Sequence, residues 1–347
     1  MRLLHVIAGA EIGGAETFAT DAIVALAERG VAQHVICRPY PGPLQRYARA
    51  GVTTTTMGFS ALDRLARAGI VCREAARFGA DLVHAWMSRA ASFVPRRLAC
   101  PAIGWFGDRY KLKYFASCDS FFAVTPDIAA HIVAAGLPPA RVFLTNTFGT
   151  MPDAPAIRRA DLATPEHAKV ALVLSRMHAV KGIDTLLHAL AATPDLYLWL
   201  AGDGPQRTAY ETLAHGLGLA DRTRFLGWRH DRRALLQACD ICVLPSRYEP
   251  FGTVIVEAWA AARPLVATLA DGARQYVRPD IDGLLSPIDD AAALAANLAR
   301  LLHEPALAAR LVANGTARFE ADFTRAIVTD RLQDAYRQAL ALGKRTL

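Results

Sequence analysis

The sequence is short of the features that would assign it at a glance. Its six cysteines are scattered through apolar segments of a 347-residue chain, which gives no disulfide framework and fits a reducing compartment. Cys239 and Cys242 have CxxC spacing but no second pair nearby, so packed free thiols are expected rather than a zinc site. No apolar run approaches about 18 residues, and Met1 to Ala8 enters a strand directly instead of a leader; neither export nor a membrane span is expected. The GxGxxG fingerprint is missing, because Gly9, Gly13 and Gly14 stand at the wrong spacing, which disfavours a nicotinamide-dependent oxidoreductase. Zinc-finger spacing, an RNA-binding aromatic signature and a long Arg/Lys tail are all lacking, so nucleic acid is not an expected partner.

What is present is a well-packed composition, 53% hydrophobic and 20% charged. The length suits two domains of about 150 to 180 residues better than one core. A net charge of +7 and a pI near 9.2 imply anionic company: nucleotide phosphates or an anionic lipid surface. Arg38, Arg46, Arg49, Arg64, Arg67, Arg73 and Arg77 crowd the first 80 residues with few acids beside them. Sharing one face, they would let the domain lean on an anionic inner-membrane leaflet; ordinary surface arginines explain them as well.

The apolar pattern alternates between strand and helix. Strands are expected over 3–7, 33–37, 52–56, 81–85, 102–105, 120–124 and 142–145, with helices over 15–29, 61–77, 88–98 and 126–135. The segment 150–167 is polar, carries Pro152, Pro155 and Pro165, and holds the domain boundary. Strands then follow over 170–174, 196–201, 241–244 and 265–268, with another that ends in Phe225-Leu-Gly227-Trp228; helices are expected over 183–191, from Pro205 to His215, 231–238, 254–262, 289–302, 305–320 and 324–341. Such repetition implies α/β architecture with parallel sheets covered on both faces, and ligands at the carboxyl ends of the strands.

The most informative stretch is 249–264, EPFGTVIVEAWAAARP. A strand breaks at Pro245 and Ser246, Phe251-Gly252-Thr253 turns, and a helix follows. Free amides at such a helix start, beside a glycine, suit phosphate oxygens. A carboxylate one turn further in, Glu257, suits vicinal hydroxyls such as those of a ribose. The two together describe a sugar-nucleotide pocket. Arg176 and Lys181, five residues apart across a strand-to-helix loop, can point both cations into one crevice, where they would stabilise charge growing on a departing diphosphate.

This pattern resembles the retaining glycosyltransferases of the GT-B superfamily, and more narrowly glycosyltransferase family 4, the "glycosyl transferases group 1" enzymes. The resemblance implies two Rossmann-like domains facing each other across a cleft: residues 1–150 for the acceptor, 151–322 for the donor, and a helix in 323–347 crossing back to the first. The SR…KG arrangement of Ser175, Arg176, Lys181 and Gly182 is similar to the family's diphosphate-binding pair, and the amides of Phe251, Gly252 and Thr253 would share that task. Glu249 would touch hydroxyls of the transferring sugar, and Glu257 would hold the ribose. The AGDGP turn, with Gly202 and Gly204, resembles the element shaping the base or phosphate side, and Phe225-Leu-Gly-Trp228, with Arg229, the segment that meets the base. The GGAE of Gly13 and Gly14 resembles the N-terminal glycine loop facing the donor phosphates, although a plain strand-to-helix turn reads the same. Asn146 matches an asparagine at the mouth of the cleft. Asp282-Gly-Leu-Leu285 resembles a marker of the fold.

The sequence departs from the family in one place. Many relatives carry a histidine near the transferring sugar, and none stands between Pro101 and Cys118. Asp108, Arg109, Lys111 and Lys113 occupy that loop, and with His84 at a strand end they are the acceptor-side candidates; a solvated face and a packed imidazole are the plain alternatives. The resulting expectation is a metal-independent transferase, without cofactor, moving a sugar from a UDP- or GDP-linked donor to a glycan or lipid-linked acceptor in lipopolysaccharide or envelope synthesis. It would be cytoplasmic, either free or peripheral on the inner membrane face. A nucleotide-sugar epimerase and a non-catalytic sugar-nucleotide-binding subunit are the rivals.

Overall fold

A computed structural model of the chain describes all residues except Ile12, 61–63, Thr150, Pro152 and 346–347, and for 64–67 the backbone alone. The chain divides into two compact units, Met1–Phe148 with Arg325–Leu347, and Gly149–Thr324.

The first unit carries a seven-stranded parallel sheet: β1 (Arg2–Ile7), β2 (Ala32–Cys37), β3 (Thr53–Thr56), β4 (Leu82–Trp86), β5 (Ala102–Phe106), β6 (Ser120–Ala123) and β7 (Val142–Leu144), in the order β3-β2-β1-β4-β5-β6-β7. The second carries six: β8 (Lys169–Leu174), β9 (Leu196–Ala201), β10 (Thr223–Gly227), β11 (Ile241–Leu244), β12 (Leu265–Thr268) and β13 (Leu284–Ser286), ordered β10-β9-β8-β11-β12-β13. The strand pairings are parallel throughout. Strands buried on both faces read as unbroken apolar runs, as in Val170–Leu174 and Ile241–Leu244. In each sheet the direction of winding reverses once, between β1 and β4 and between β8 and β11. The loops diverge there and leave a crevice at the carboxyl edge.

An aromatic cluster fills the first unit. Trp86, Trp105 and Phe18 meet with ring centroids 5.4 to 6.0 Å apart, and Phe106 stacks on Phe115 at 3.9 Å. The last helix, Arg325–Leu342, belongs to this unit: Tyr336 is buried against Phe122, centroids 5.1 Å apart. Arg29 pairs with Asp330, and Arg325 with Glu28. The six cysteines are free; burial pushes the Cys239 thiol up to about 12 and holds Cys242 well above the usual thiol range.

Local differences from the sequence reading have plain causes. A helix at Pro41–Arg49 went unexpected because three residues of its first turn are Pro-Gly-Pro; proline is well suited to a first turn, where its missing N–H loses no bond. Tyr47 anchors that helix, its hydroxyl 3.0 Å from Thr20 Oγ1. The helix expected over 88–98 covers only Met87–Ala91 and gives way to turns before Pro95. Pro205 lies in the turn ahead of a helix that starts at Arg207. Of the helix expected over 61–77, residues 61–63 lie outside the described residues, as do the side chains of Arg64 and Arg67; the described helix is Arg64–Phe78. The polar segment after Gly149 is held to the second unit: Arg159 bonds Ala238 O at 2.9 Å and Asp240 at 2.8 Å, and Trp199 Nε1 donates to Thr164 at 2.9 Å.

Candidate active site

Four strand ends of the second sheet frame a cavity of about 110 Å³, lined among others by Ser175, Arg176, Trp228, Arg229, Arg232 and Glu257. Residues 174–176 leave β8, Ala201 ends β9, Trp228 and Arg229 leave β10, and the helix carrying Glu257 follows β11. The cavity thus sits at the second sheet's reversal point.

Close backbone approaches hold these loops together. Gly202 has φ +154, and a Cβ there would overlap the carbonyl oxygen of Ser175; the chain can cross only because that Cβ is missing. Gly204 rests on the Met177 backbone in the same way. Gly202 N donates to Gly227 O at 2.8 Å, and Met177 N to Asp203 O at 2.9 Å. Beyond β11, Gly252 takes φ +83 and starts the helix Thr253–Ala260, whose first amides have no acceptor within the helix. The Phe251 ring is buried against Tyr276, centroids 5.0 Å apart; only the backbone of this residue is suited to a ligand.

Charges are arranged in pairs. Lys181 Nζ lies 2.6 Å from Glu249 Oε2, both side chains largely shielded. Arg247 fixes the Lys181 loop: its guanidinium grips Asp184 at 2.7 and 2.9 Å, bonds Ala179 O at 2.6 Å and reaches Asp289 at 2.7 Å. Those carboxylates hold Arg247 above its usual range and it holds Asp184 below its own. Glu257, 1% exposed, pairs with Arg232 and packs over Gly149. A buried carboxylate is costly without a cation beside it, so Arg232 is part of what lets Glu257 stand here. Arg229 grips Asp231 at 2.8 and 2.5 Å. Arg176 is exposed and makes no ion pair among the described residues. Trp228 is 46% exposed. Arg176, Trp228, Arg229 and Glu257 therefore come together in one cavity, while Lys181 and Glu249 form a pair outside its lining.

The first-unit residues are more dispersed. Gly13 precedes the helix Gly14–Glu28, and the Glu16 side chain folds back over Gly9 and Gly13, its Oε1 accepting from Ala10 N at 3.1 Å. Asn146 is buried, with Nδ2 donating to Val124 O at 3.2 Å. Asp108 Oδ1 accepts from Arg109 N at 2.7 Å, and Arg109 pairs with Asp127 at 3.4 Å. Lys111 and Lys113 are exposed. Of the basic N-terminal series, Arg46 and Arg77 are held by Asp21 and Glu74.

His84 corrects the sequence reading. It is 0% exposed, with Nδ1 2.5 Å from the Tyr336 hydroxyl and its ring 4.2 Å from Trp86. It is a core residue and does not reach an acceptor. Burial, and then the neighbouring His5, hold it well below the usual histidine range. His5 is likewise depressed, to about 4, chiefly by burial; its Nε2 is 2.9 Å from Gln33 Oε1 and its Nδ1 accepts from Trp86 at 3.2 Å. Because its folded pKa lies below the unfolded 6.5, the unfolded chain binds more protons between those values. Stability is full above about pH 6.5, falls as pH drops toward 4 and levels off below. Melting of the protein is expected to shift down across this window, and less steeply in His5→Asn; equal slopes would remove His5 from the account.

Comparison with known proteins places this geometry. The family models "Glycosyl transferases group 1" and "Glycosyltransferase Family 4" match residues 156–318 and 12–146. The chain is 34% identical to the lipopolysaccharide core biosynthesis glycosyltransferase LpsD of Rhizobium meliloti (strain 1021), over 98% of this chain and 99% of that one. LpsE of the same strain is 35% identical over the same shares. The chain belongs to glycosyltransferase family 4. Among solved structures, Anabaena Alr3699/HepE in complex with UDP and glucose aligns with TM-score 0.82 at 21% identity, covering 97% of this glycosyltransferase and 99% of that chain. The apo form of the lipopolysaccharide outer core galactosyltransferase WaaB aligns at 0.76 and 16% identity, over 97% and 99%. These likenesses carry the fold, which is GT-B.

Sequence reasoning missed two arginines of the glycosyltransferase. Arg232 lines the cavity and partners Glu257, 25 residues away; Arg247 locks the Lys181 loop across 63 residues to Asp184. Neither has a local signal, since each acts through a contact made only once the strands align. No described helix is long and apolar enough to cross a membrane.

Proposed function

We propose that the protein is a retaining, metal-independent glycosyltransferase that moves a sugar from a nucleoside-diphosphate sugar to a glycan of the lipopolysaccharide core or a related envelope glycolipid. The observation that carries this reading is the cavity itself: a carboxylate fixed by Arg232 on one side, and Arg176 and Arg229 on the other, at the reversal point of a parallel sheet. Glu257 accepts the ribose hydroxyls, the amides beginning at Gly252 meet the phosphates, and Arg176 with Lys181 stabilises the departing diphosphate as its charge grows. Glu249, beside Lys181, contacts hydroxyls of the transferring sugar. The leaving diphosphate oxygen takes the acceptor proton on the same face, so no separate general base is required. Uridine is the first base to try, because one structural neighbour, Anabaena Alr3699/HepE, was solved with UDP and with UDP-glucose. The lipopolysaccharide acceptor follows the names of the relatives LpsD and LpsE.

The test is a calorimetric titration with UDP, GDP, ADP, CMP and NAD, without added metal, on the wild type and on Glu257→Gln. One nucleoside diphosphate is expected to bind, about 10- to 100-fold more weakly in the variant, since an uncharged amide replaces the ionised acceptor. Binding of NAD alone, or of none, would overturn the reading. Isomerisation of the sugar nucleotide without acceptor would favour an epimerase instead.

A further inference from the structure

The first sheet has its own cavity at the equivalent place. About 470 Å³ in volume, it opens where β1 and β4 diverge. Ala8 leaves β1, Arg38 leaves β2, Met87 to Arg89 leave β4, and Tyr110 follows β5. The size is that of a small-molecule site rather than a packing fault.

Its charge is what needs explaining. Several arginines of this unit are held by carboxylates: Arg29 by Asp330, Arg46 by Asp21 and Arg77 by Glu74. The two that line the cavity, Arg38 and Arg89, are not. Arg38 donates Nε to Ala8 O at 3.3 Å and lies over Phe59, with no carboxylate against it among the described residues. Arg89 is exposed and its guanidinium has neither ion pair nor hydrogen bond among them. The one carboxylate in the wall, Glu16, has an oxygen engaged with Ala10 N, leaving two cations against one anion. Met87 stands at φ +65, a conformation uncommon outside glycine, and this sharp turn out of β4 precedes Ser88 and Arg89, which line the cavity. Tyr40 and Tyr110 complete the wall.

We infer that this cavity binds a sugar bearing an anionic group, a carboxylate or a phosphate, with Arg38 and Arg89 as the specificity-determining pair. A planar guanidinium meets either anion with two parallel hydrogen bonds. Calling this occupant the acceptor rests on the transfer reading above; the anion preference does not.

Binding of glucose, glucuronic acid and glucose 6-phosphate is measured by calorimetry on the wild type, Arg38→Gln, Arg89→Gln and, as a control in the other unit, Arg176→Gln. At least one anionic sugar is expected to bind at least about 10-fold more tightly than glucose, with each first-unit variant removing most of that advantage and Arg176→Gln none of it. Which of the two anionic sugars prevails distinguishes carboxylate from phosphate. Equal binding of glucose, no binding of either anionic sugar up to its solubility limit, or insensitivity to both variants would overturn the inference. UDP is titrated alongside: it is expected to bind Arg38→Gln and Arg89→Gln unchanged. Failure of UDP to bind any form counts against the donor site, separately from this one. Unchanged melting temperatures exclude misfolding as the cause of a loss.

Discussion

Lys181→Ala is expected to lower turnover by about 10²- to 10³-fold while UDP affinity changes by no more than about tenfold. The ammonium sits in a built position. Gly182, at φ +59, rests against the Pro245 carbonyl, Arg247 holds both Ala179 and Asp184, and Glu249 meets Nζ at 2.6 Å. A cation fixed before the reaction needs no reorganisation as charge develops on a leaving diphosphate, and its removal is felt at that stage more than in the bound ground state. Release of nucleoside diphosphate from a UDP-sugar in the presence of acceptor, with kcat and KM separated, is the measurement. A raised KM with kcat unchanged would mean that Lys181 binds donor and transition state alike and would take it out of the chemistry. Arg247→Ala should share part of the kcat loss, because it frees the loop rather than the charge.

Gly202→Ala is expected to destabilise the protein by about 3 kcal/mol or more, lowering the melting temperature by roughly 6 to 12 °C for a unit of this size. A single methyl would meet a backbone oxygen, that of Ser175, and backbone yields far less readily than a flexible side-chain end. The loop out of β8 and the turn out of β9 would have to separate, and with them the bonds Gly202 N to Gly227 O and Met177 N to Asp203 O. Donor binding should fall with the melting temperature. Gly216, with nothing within 4 Å of its would-be Cβ, is the control, and its alanine variant should melt no lower than the wild type. Equal behaviour of the two variants would show that the close crossing at Gly202 is not what holds the pocket together.

The architecture was legible because its signals are periodic and local. Apolar runs such as 170–174 and 241–244 announce strands buried on both faces, and the α/β alternation follows from them. The charged residues were legible only in part. Lys181, Glu249 and Glu257 stand near glycines and helix starts, and Arg176 follows a strand end, so their positions can be inferred from neighbours in the chain. Arg232 and Arg247 have no such neighbours; their meaning lies in partners 25 and 63 residues away. His84 misled for the opposite reason: a strand end promises access, and here a helix from the far end of the chain, through Tyr336, closes over it. Arg38 was counted with a basic surface, and only the strand order separates it from Arg46 and Arg77.

That terminal helix also dictates an order of assembly. The second unit is continuous in sequence and lies wholly within the span of the first, so all of it is in the chain before the helix Arg325–Leu342 that the first unit needs. Until residues 325–342 are made, His84 and Phe122 have no Tyr336 over them. The unit whose synthesis begins first is therefore the last that can be completed, and a chain truncated at residue 324 would hold all of the second unit while leaving the aromatic core around His84 and Phe122 uncovered, the kind of surface that chaperones hold.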